Sequence, residues 1–475
     1  MRKSLKAIII AVGALIGLLV LAATALLLFL TADSYKPRLE VALSDMIGME
    51  VKVGGRLGIG LFPSLLVTLK DVHIRNRGTD VVTAREARVG IDFLTLLRKG
   101  FQIKLIALEQ PSIFIVRDRD GSYNFNKSGA APKSLPNLNL EKVFLSDATL
   151  IYQNKQTGKG FEADDCNLDM SHLRLSDRNS PGIMKHLAFT AELICGKVRT
   201  KHYVASTLKF SVAGQDGVFD LKPLTMQVFS GKGSGNIRAD FTGAVPLYHV
   251  RYILSQFHID EFHTTLSPTN VAEGPMDFSA SLSMQGETIS KLKQTLEGKA
   301  SLRGKNLILN GRDLDQAFDR YESSQNFNLV DVGAFYFAGP VGLAITKGYN
   351  FASILQGSEG RSEIRTIVSD WTVEGGVARS QDVAMATNNH RVALQGGLDF
   401  ANERFDGVTV ALIDAKGCIK VQQAIHGDFK RPVVEKPSTL KSLTGPVVKL
   451  LKQVGRLFPG GECEVFYAGS VQAPQ

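Results

Sequence analysis

From Glu50 almost to the C-terminus the hydrophobic pattern of this chain has a period of two, which commits it to β-structure. Short runs rich in Val, Ile, Leu, Thr and Phe, at 50–53, 65–74, 86–93, 101–108 and 112–117, are separated by Gly, Asn, Asp and Pro. The 45 glycines fit an architecture that turns every ten residues or so. The same texture runs through 206–212, 225–229, 277–284 and 299–310 and predicts a C-terminal meander over 364–412, with turns at Asn388 and Asn389 and at 374–376. Helical patterns are few. Leu39, Leu43, Met46 and Ile47 share a face in 33–47, with Gly48 as a stop; 94–97 reads as one turn and 316–321 as a short piece. In 446–457 an apolar stripe of Val447, Leu450, Leu451, Val454 and Leu457 predicts an amphipathic, basic helix that covers one end of a sheet, with an anionic membrane surface as the alternative seat. With so few helices, the strands must either stack as sandwiches or curl into a sheet whose apolar channel takes an apolar ligand.

A second feature places this β-structure beside a membrane. The 24-residue run from Ala7 to Leu30 is broken only by Thr24 and is preceded by Arg2, Lys3 and Lys6. At about 1.5 Å per residue it makes about 36 Å of helix, enough to cross a hydrocarbon core of about 30 Å. The run is too long for the apolar region of a signal peptide and lacks a good cleavage site, so a retained single-pass anchor is expected. Its basic flank predicts a short cytoplasmic N-terminus, so that 1–32 comprise that terminus and the transmembrane helix, and the remainder is exported. The net charge of +9 in 475 residues is modest and argues for no nucleic-acid partner.

Motifs for catalysis are missing. The segment GKGSGN at 231–236 has no P-loop spacing and reads as a flexible β-turn. His258, Asp260, Glu261 and His263 lack the spacing of metal ligands, and RDRDG at 117–121 reads as a hairpin turn rather than a carboxylate pair. No GxSxG elbow is present, so no enzyme, cofactor or metal is expected. The four cysteines form no CxxC pair, and in an exported chain disulfides are expected. A bridge between Cys418 and Cys463 would pin the 446–457 helix and the tail onto the last strands; Cys166 and Cys195 are the other candidates, and four cysteines permit three connectivities.

These residues resemble the AsmA family of inner-membrane-anchored envelope proteins. The resemblance runs through MEVKVGGRLGIGLFPSLLVTLKDVHIRN at 49–76 and is sharpest in LLRKGFQIKLIALEQPSIFIVRDRDGSYNF at 96–125. A second match covers 296–432, and the tail from Cys463 resembles the family's terminal CxxxYxG pattern; 155–290 matches only in texture. The resemblance implies a mainly β protein: a transmembrane helix, an elongated, curved antiparallel β-groove over 33–295 in the periplasm, and a β-rich domain over 296–475. It implies a bacterial inner-membrane location in a Gram-negative envelope, phospholipid as partner beside the inner membrane and other envelope proteins, and transfer of lipid that supports outer-membrane homeostasis and assembly. The alternative is a non-enzymatic scaffold or regulator of outer-membrane protein assembly. In 101–116, strict alternation gives two groove-lining sets: Ile103 and Leu105 with Ile113 and Ile115, or Ile106 and Leu108 with Phe114 and Val116.

Overall fold

The computed structural model describes residues 36–60, 65–91, 103–126, 139–175, 182–265, 272–311, 313–324, 360–429, 431–436, 438–439 and 463–474. The expected membrane span at 7–30, the turn at 94–97 and the amphipathic helix at 446–457 lie outside them. No helix among the described residues is long and apolar enough to cross a membrane. As the period of two dictates, the fold is mainly β, with 23 strands and five short helices among the described residues. The chain divides into two compact units, 1–201 with 206–217, and 202–205 with 218–475.

In the first unit, α1 (Lys36–Ile47) precedes β1 (Glu50–Val53), β2 (Leu57–Gly60), β3 (Leu65–Asn76), β4 (Thr79–Ile91), β5 (Ile103–Glu109) and β6 (Ser112–Arg117). Next come β7 (Asn139–Asn154), β8 (Lys159–Leu175), α2 (Ile183–His186), β9 (Leu187–Thr200) and β10 (Val204–Gln215). Helix α1 docks because Leu39 and Leu43 reach the cluster of Val53, Leu69, Val72, Ala84 and Ala87. Its polar side is tied down as well: the Val53 N–H donates to Glu40 Oε1 at 2.8 Å and the Val51 N–H to Ser44 Oγ at 2.8 Å.

Two features correct the expectation of a purely antiparallel sheet with strict alternation. Strands β5 and β6 both pair antiparallel with β4, and both pair in parallel with β7. They are successive halves of one strand position, not the arms of a hairpin. Residue 105 faces 142 and residue 117 faces 154, so the segments 103–117 and 140–154 lie side by side. The break between the halves is at Gln110, with φ 49°, level with Asp147 on β7 at φ 51°. Asp71 on β3 and Asp165 on β8, at φ 56° and 52°, continue this line of left-handed residues across the sheet. The register shifts by one between Leu145 and Ala148, so a side chain past the crease keeps its face only by changing parity.

The second unit contains β11 (Val218–Val228), β12 (Gly231–Asp240), β13 (Leu247–His258), α3 (Ile259–Thr264), β14 (Ala272–Glu273), β15 (Pro275–Gln285), α4 (Ile289–Gln294), β16 (Glu297–Asn310) and α5 (Leu314–Ser324). It continues with β17 (Arg361–Glu374), β18 (Val377–Ala386), β19 (Arg391–Asp399), β20 (Arg404–Ile413), β21 (Ile419–Asp428), β22 (Arg431–Val434) and β23 (Ser438–Thr439). Residue 296 immediately precedes β16, which pairs with β15 on one side and β17 on the other.

The meander β17–β21 is closed on both faces. Ile367, Met385, Val392, Leu412 and Val421 lie in one cross-strand row, and all are almost fully buried. Leu314 and Phe318 of α5 are also fully buried, with the Leu314 N–H donating to Ser362 Oγ at 2.6 Å. The opposite row is Val368, Ala384, Ala393 and Ala411, and Tyr467 and Val471 of the tail pack onto it. Short alanines there leave room for an extended segment to lie flat on the sheet.

Candidate functional site

Directly paired residues on neighbouring strands share a face, so the register assigns every side chain. In the first unit Ile106 and Leu108 pair with Val89 and Ala87 on β4 and with Val143 and Leu145 on β7. Beyond the crease Ile113 pairs with Val82 and Leu150, and Ile115 with Tyr152. Leu145, Ala148 and Leu150 belong to one cluster, which shows that the face is continuous across the break. Ile106, Leu108, Ile113 and Ile115 therefore share one face, whereas Leu105, Phe114 and Val116 lie on the other. Ile103 pairs with Ile91 beyond a further register shift. Neither expected set lies on one face, because Gln110 resets the alternation on which both were built.

The face of Ile106 and Leu108 continues through Ala163, Cys166 and Leu168 on β8, then Leu193, Cys195 and Val198 on β9, to Leu208 on β10. It is apolar throughout, yet Ile106, Ile113, Leu145, Leu150 and Leu193 are only half-buried. The reverse face carries the charges: Arg88 with Glu86 at 2.5 Å, Lys142 with Asp169 at 3.3 Å, Lys209 with Glu192 at 2.6 Å, and Arg199 with Asp164. Cys166 and Cys195 are disulfide-bonded across β8 and β9 on the apolar face, with Cα atoms 4.0 Å apart. Cys418 and Cys463 are bonded as well and tie the start of the tail to the segment after β20.

The second unit presents an apolar face of its own. Leu224, Gly235, Tyr252, Ala280, Ala300 and Trp371 form a single row across β11, β12, β13, β15, β16 and β17. The segment 231–236, expected to be a flexible turn, is the start of strand β12. The turn lies just before it, at Phe229 and Ser230, whose φ values of 51° and 57° suit a two-residue hairpin loop. Gly231, Gly233 and Gly235 recur at the strand period and lie on the apolar face because bulk there is excluded. A Cβ on Gly231 would come within 2.7 Å of the Phe257 backbone, and one on Gly233 would strike the Tyr252 hydroxyl. Burial in this setting, with a smaller contribution from Tyr203, pushes the Tyr252 phenol pKa up. A glycine at every second position was the signal in the sequence for a strand under a large ring.

The sequence 117–125 does turn: the Gly121 N–H donates to the Asp118 carbonyl at 3.0 Å. Asn124 then doubles as a strand residue, accepting from the Val116 N–H at 3.0 Å and donating to the Phe114 carbonyl at 2.7 Å. No group of His, Cys, Asp or Glu among the described residues could hold a metal ion.

These features, an apolar face over paired strands ending in the Asn124 turn, coincide with a match to the AsmA family model over residues 1–201 and 134–334. The chain belongs to the AsmA family. The AsmA match includes the 155–290 region that resembled the family only in texture, and it ends at residue 334, ahead of the meander. Neither a curated protein nor a solved structure matches the chain. AsmA membership fits a role in lipid transport or envelope assembly in general.

Proposed function

We propose that this protein is anchored in the bacterial inner membrane by 7–30, with its bulk in the periplasm, and that it carries phospholipid, without catalysis, by holding acyl chains against the apolar strand faces. The observation that carries this reading is the half-exposed apolar face of the first unit from β5 and β6 to β10, beside the part on β3 and β4 that α1 covers. Four strand spacings of about 4.8 Å give it a width of about 19 Å, more than the roughly 15 Å spanned by the chains of one leaflet. Each CH₂ withdrawn from a bilayer into water costs about 0.8 kcal/mol, so a two-chain lipid needs a surface of this kind to offset a cost on the order of 20 kcal/mol. The scaffold reading would use open sheet edges. Among the described residues β1, β2, β22 and β23 each pair with one neighbour, span two to four residues, and include Pro432, which blunts them for strand addition.

Photo-crosslinking in cells tests the proposal. Probes at Ile106 and Leu145 are expected to trap lipid, and probes at Leu105 and Phe144, one residue away on the charged face, are expected not to. Equal capture from both faces, or none from either, would remove lipid carriage in favour of the scaffold.

A further inference from the structure

The polar face of the second unit carries a separate site. Strand β15 presents Ser279, Ser281 and Ser283 to that face, while the neighbouring strands present long basic side chains on either side. At the level of Ser281 the direct partners are Arg251 on β13 and Lys299 on β16, and Asn236 and Thr372 extend the row. Short side chains between long ones make a trough. The surface is hollow there, with a depression of about 940 Å³ and an adjoining one of about 610 Å³ that share Asn236, Arg251 and Ser281.

The charges decide what the trough fits. Arg238 is paired with Asp220 at 2.9 Å and Arg303 with Asp370 at 2.6 Å. Arg251 and Lys299 meet no carboxylate within ion-pair distance among the described residues, although they stand on one face two strands apart, with roughly 10 Å between their backbones. Lys222 and His249 line the adjoining depression, where Glu297 is the counter-charge. Two cations at this spacing over a row of hydroxyls, with no carboxylate beside either, match a group between them that has negative charge and several acceptor oxygens.

We propose that this trough binds a phosphate group, held by Arg251 and Lys299 and hydrogen-bonded by Ser281. It lies on the face opposite Tyr252 and Trp371, so the inference stands whether or not the apolar face carries acyl chains. The phosphate could come from a lipid headgroup or from a soluble phosphate compound, and the two are separable by experiment. Titration calorimetry on the full-length protein in neutral detergent would use inorganic tripolyphosphate in one arm and a short-chain, micelle-free phosphatidic acid in the other. Binding in either arm that the trough variants diminish supports the site and identifies the source. Arg251→Gln combined with Lys299→Gln is expected to weaken that binding at least tenfold and to lower its dependence on salt. Ser281→Tyr, which fills the trough without changing charge, is expected to weaken it as much. All three positions are exposed, so unchanged circular dichroism and melting are expected in each variant. Absence of binding in both arms, or undiminished binding in either variant, would overturn the proposal.

Discussion

Tyr467 shows how one side chain can hold a segment of extended chain on a sheet. Its hydroxyl donates to Asp382 Oδ1 at 2.5 Å and accepts the Val471 N–H at 3.0 Å, and the Arg391 guanidinium stands 5.6 Å from its ring centre. Arg391 also donates to the Val471 carbonyl at 2.9 Å, and the Ser470 N–H donates to Asp382 Oδ2 at 3.0 Å. Burial alone would raise the pKa of Asp382, but the hydrogen bonds from Ser470 and Tyr467 outweigh it and hold the carboxyl below its ordinary range. Burial, then the bond to Asp382, pushes the Tyr467 phenol above its ordinary value. The signs follow from linkage. The Asp382 contribution is present above its unfolded pKa of about 3.9 and is lost as pH falls through the lower folded value; that of Tyr467 is complete below about pH 10 and fades as pH rises past it. Tail docking is therefore expected to be stable across the neutral range and to loosen at both extremes, read as amide exchange in 463–474. Tyr467→Phe is expected to cost about 1–2 kcal/mol, toward the low end for a bond to a partly solvated charge, and Asp382→Asn to flatten the acid limb. An unchanged acid limb in Asp382→Asn would assign that limb to another group.

Strand β12 gives the corresponding test at the level of an element. Its glycines are needed for close approach rather than for flexibility: a Cβ on Gly235 would strike the Arg251 carbonyl oxygen, which is backbone and cannot swing away. Gly243, in the next loop, has no atom nearer than 3.5 Å to the same hypothetical Cβ. Gly235→Ala is thus expected to destabilise the second unit by about 1–3 kcal/mol in urea titration, and Gly243→Ala to be close to neutral. Equal effects at the two positions would mean that β12 does not pack as described. The same element marks how far the sequence could be read. Alternation identified the strands and the meander because each side chain's burial follows from its parity. It did not reveal the crease: Gln110 before Pro111 and Asp147 mark polar breaks, but a polar break does not show that non-glycine residues turn left-handed there and reset the parity. That one unreadable feature was enough to divide both expected lining sets between opposite faces. The trough of Arg251, Ser281 and Lys299 was equally hidden, because three strands must be in register before it exists.

For the whole molecule, the proposed topology and the disulfides constrain one another. Cys166 with Cys195 and Cys418 with Cys463 account for all four cysteines of the chain, and none of the four is free. A cytosolic thiol pool would keep such pairs reduced, whereas an exported, oxidising compartment lets them persist, each contributing typically about 2–4 kcal/mol. If the basic flank before Ala7 stays in the cytoplasm and the apolar run is retained, everything that follows shares one compartment. Reporter fusions at Ser128 and after Gln475 are then both expected to show periplasmic activity. Peptide mapping of protein alkylated during lysis is expected to recover both cystines, and intact mass to retain residues 1–32. Cytoplasmic activity at either fusion would overturn the orientation. Loss of 1–32 would overturn the anchor while leaving export in place. Free thiols at all four positions alongside periplasmic fusions would leave the topology intact and assign the holding of the tail to Tyr467, Arg391 and Asp382 alone.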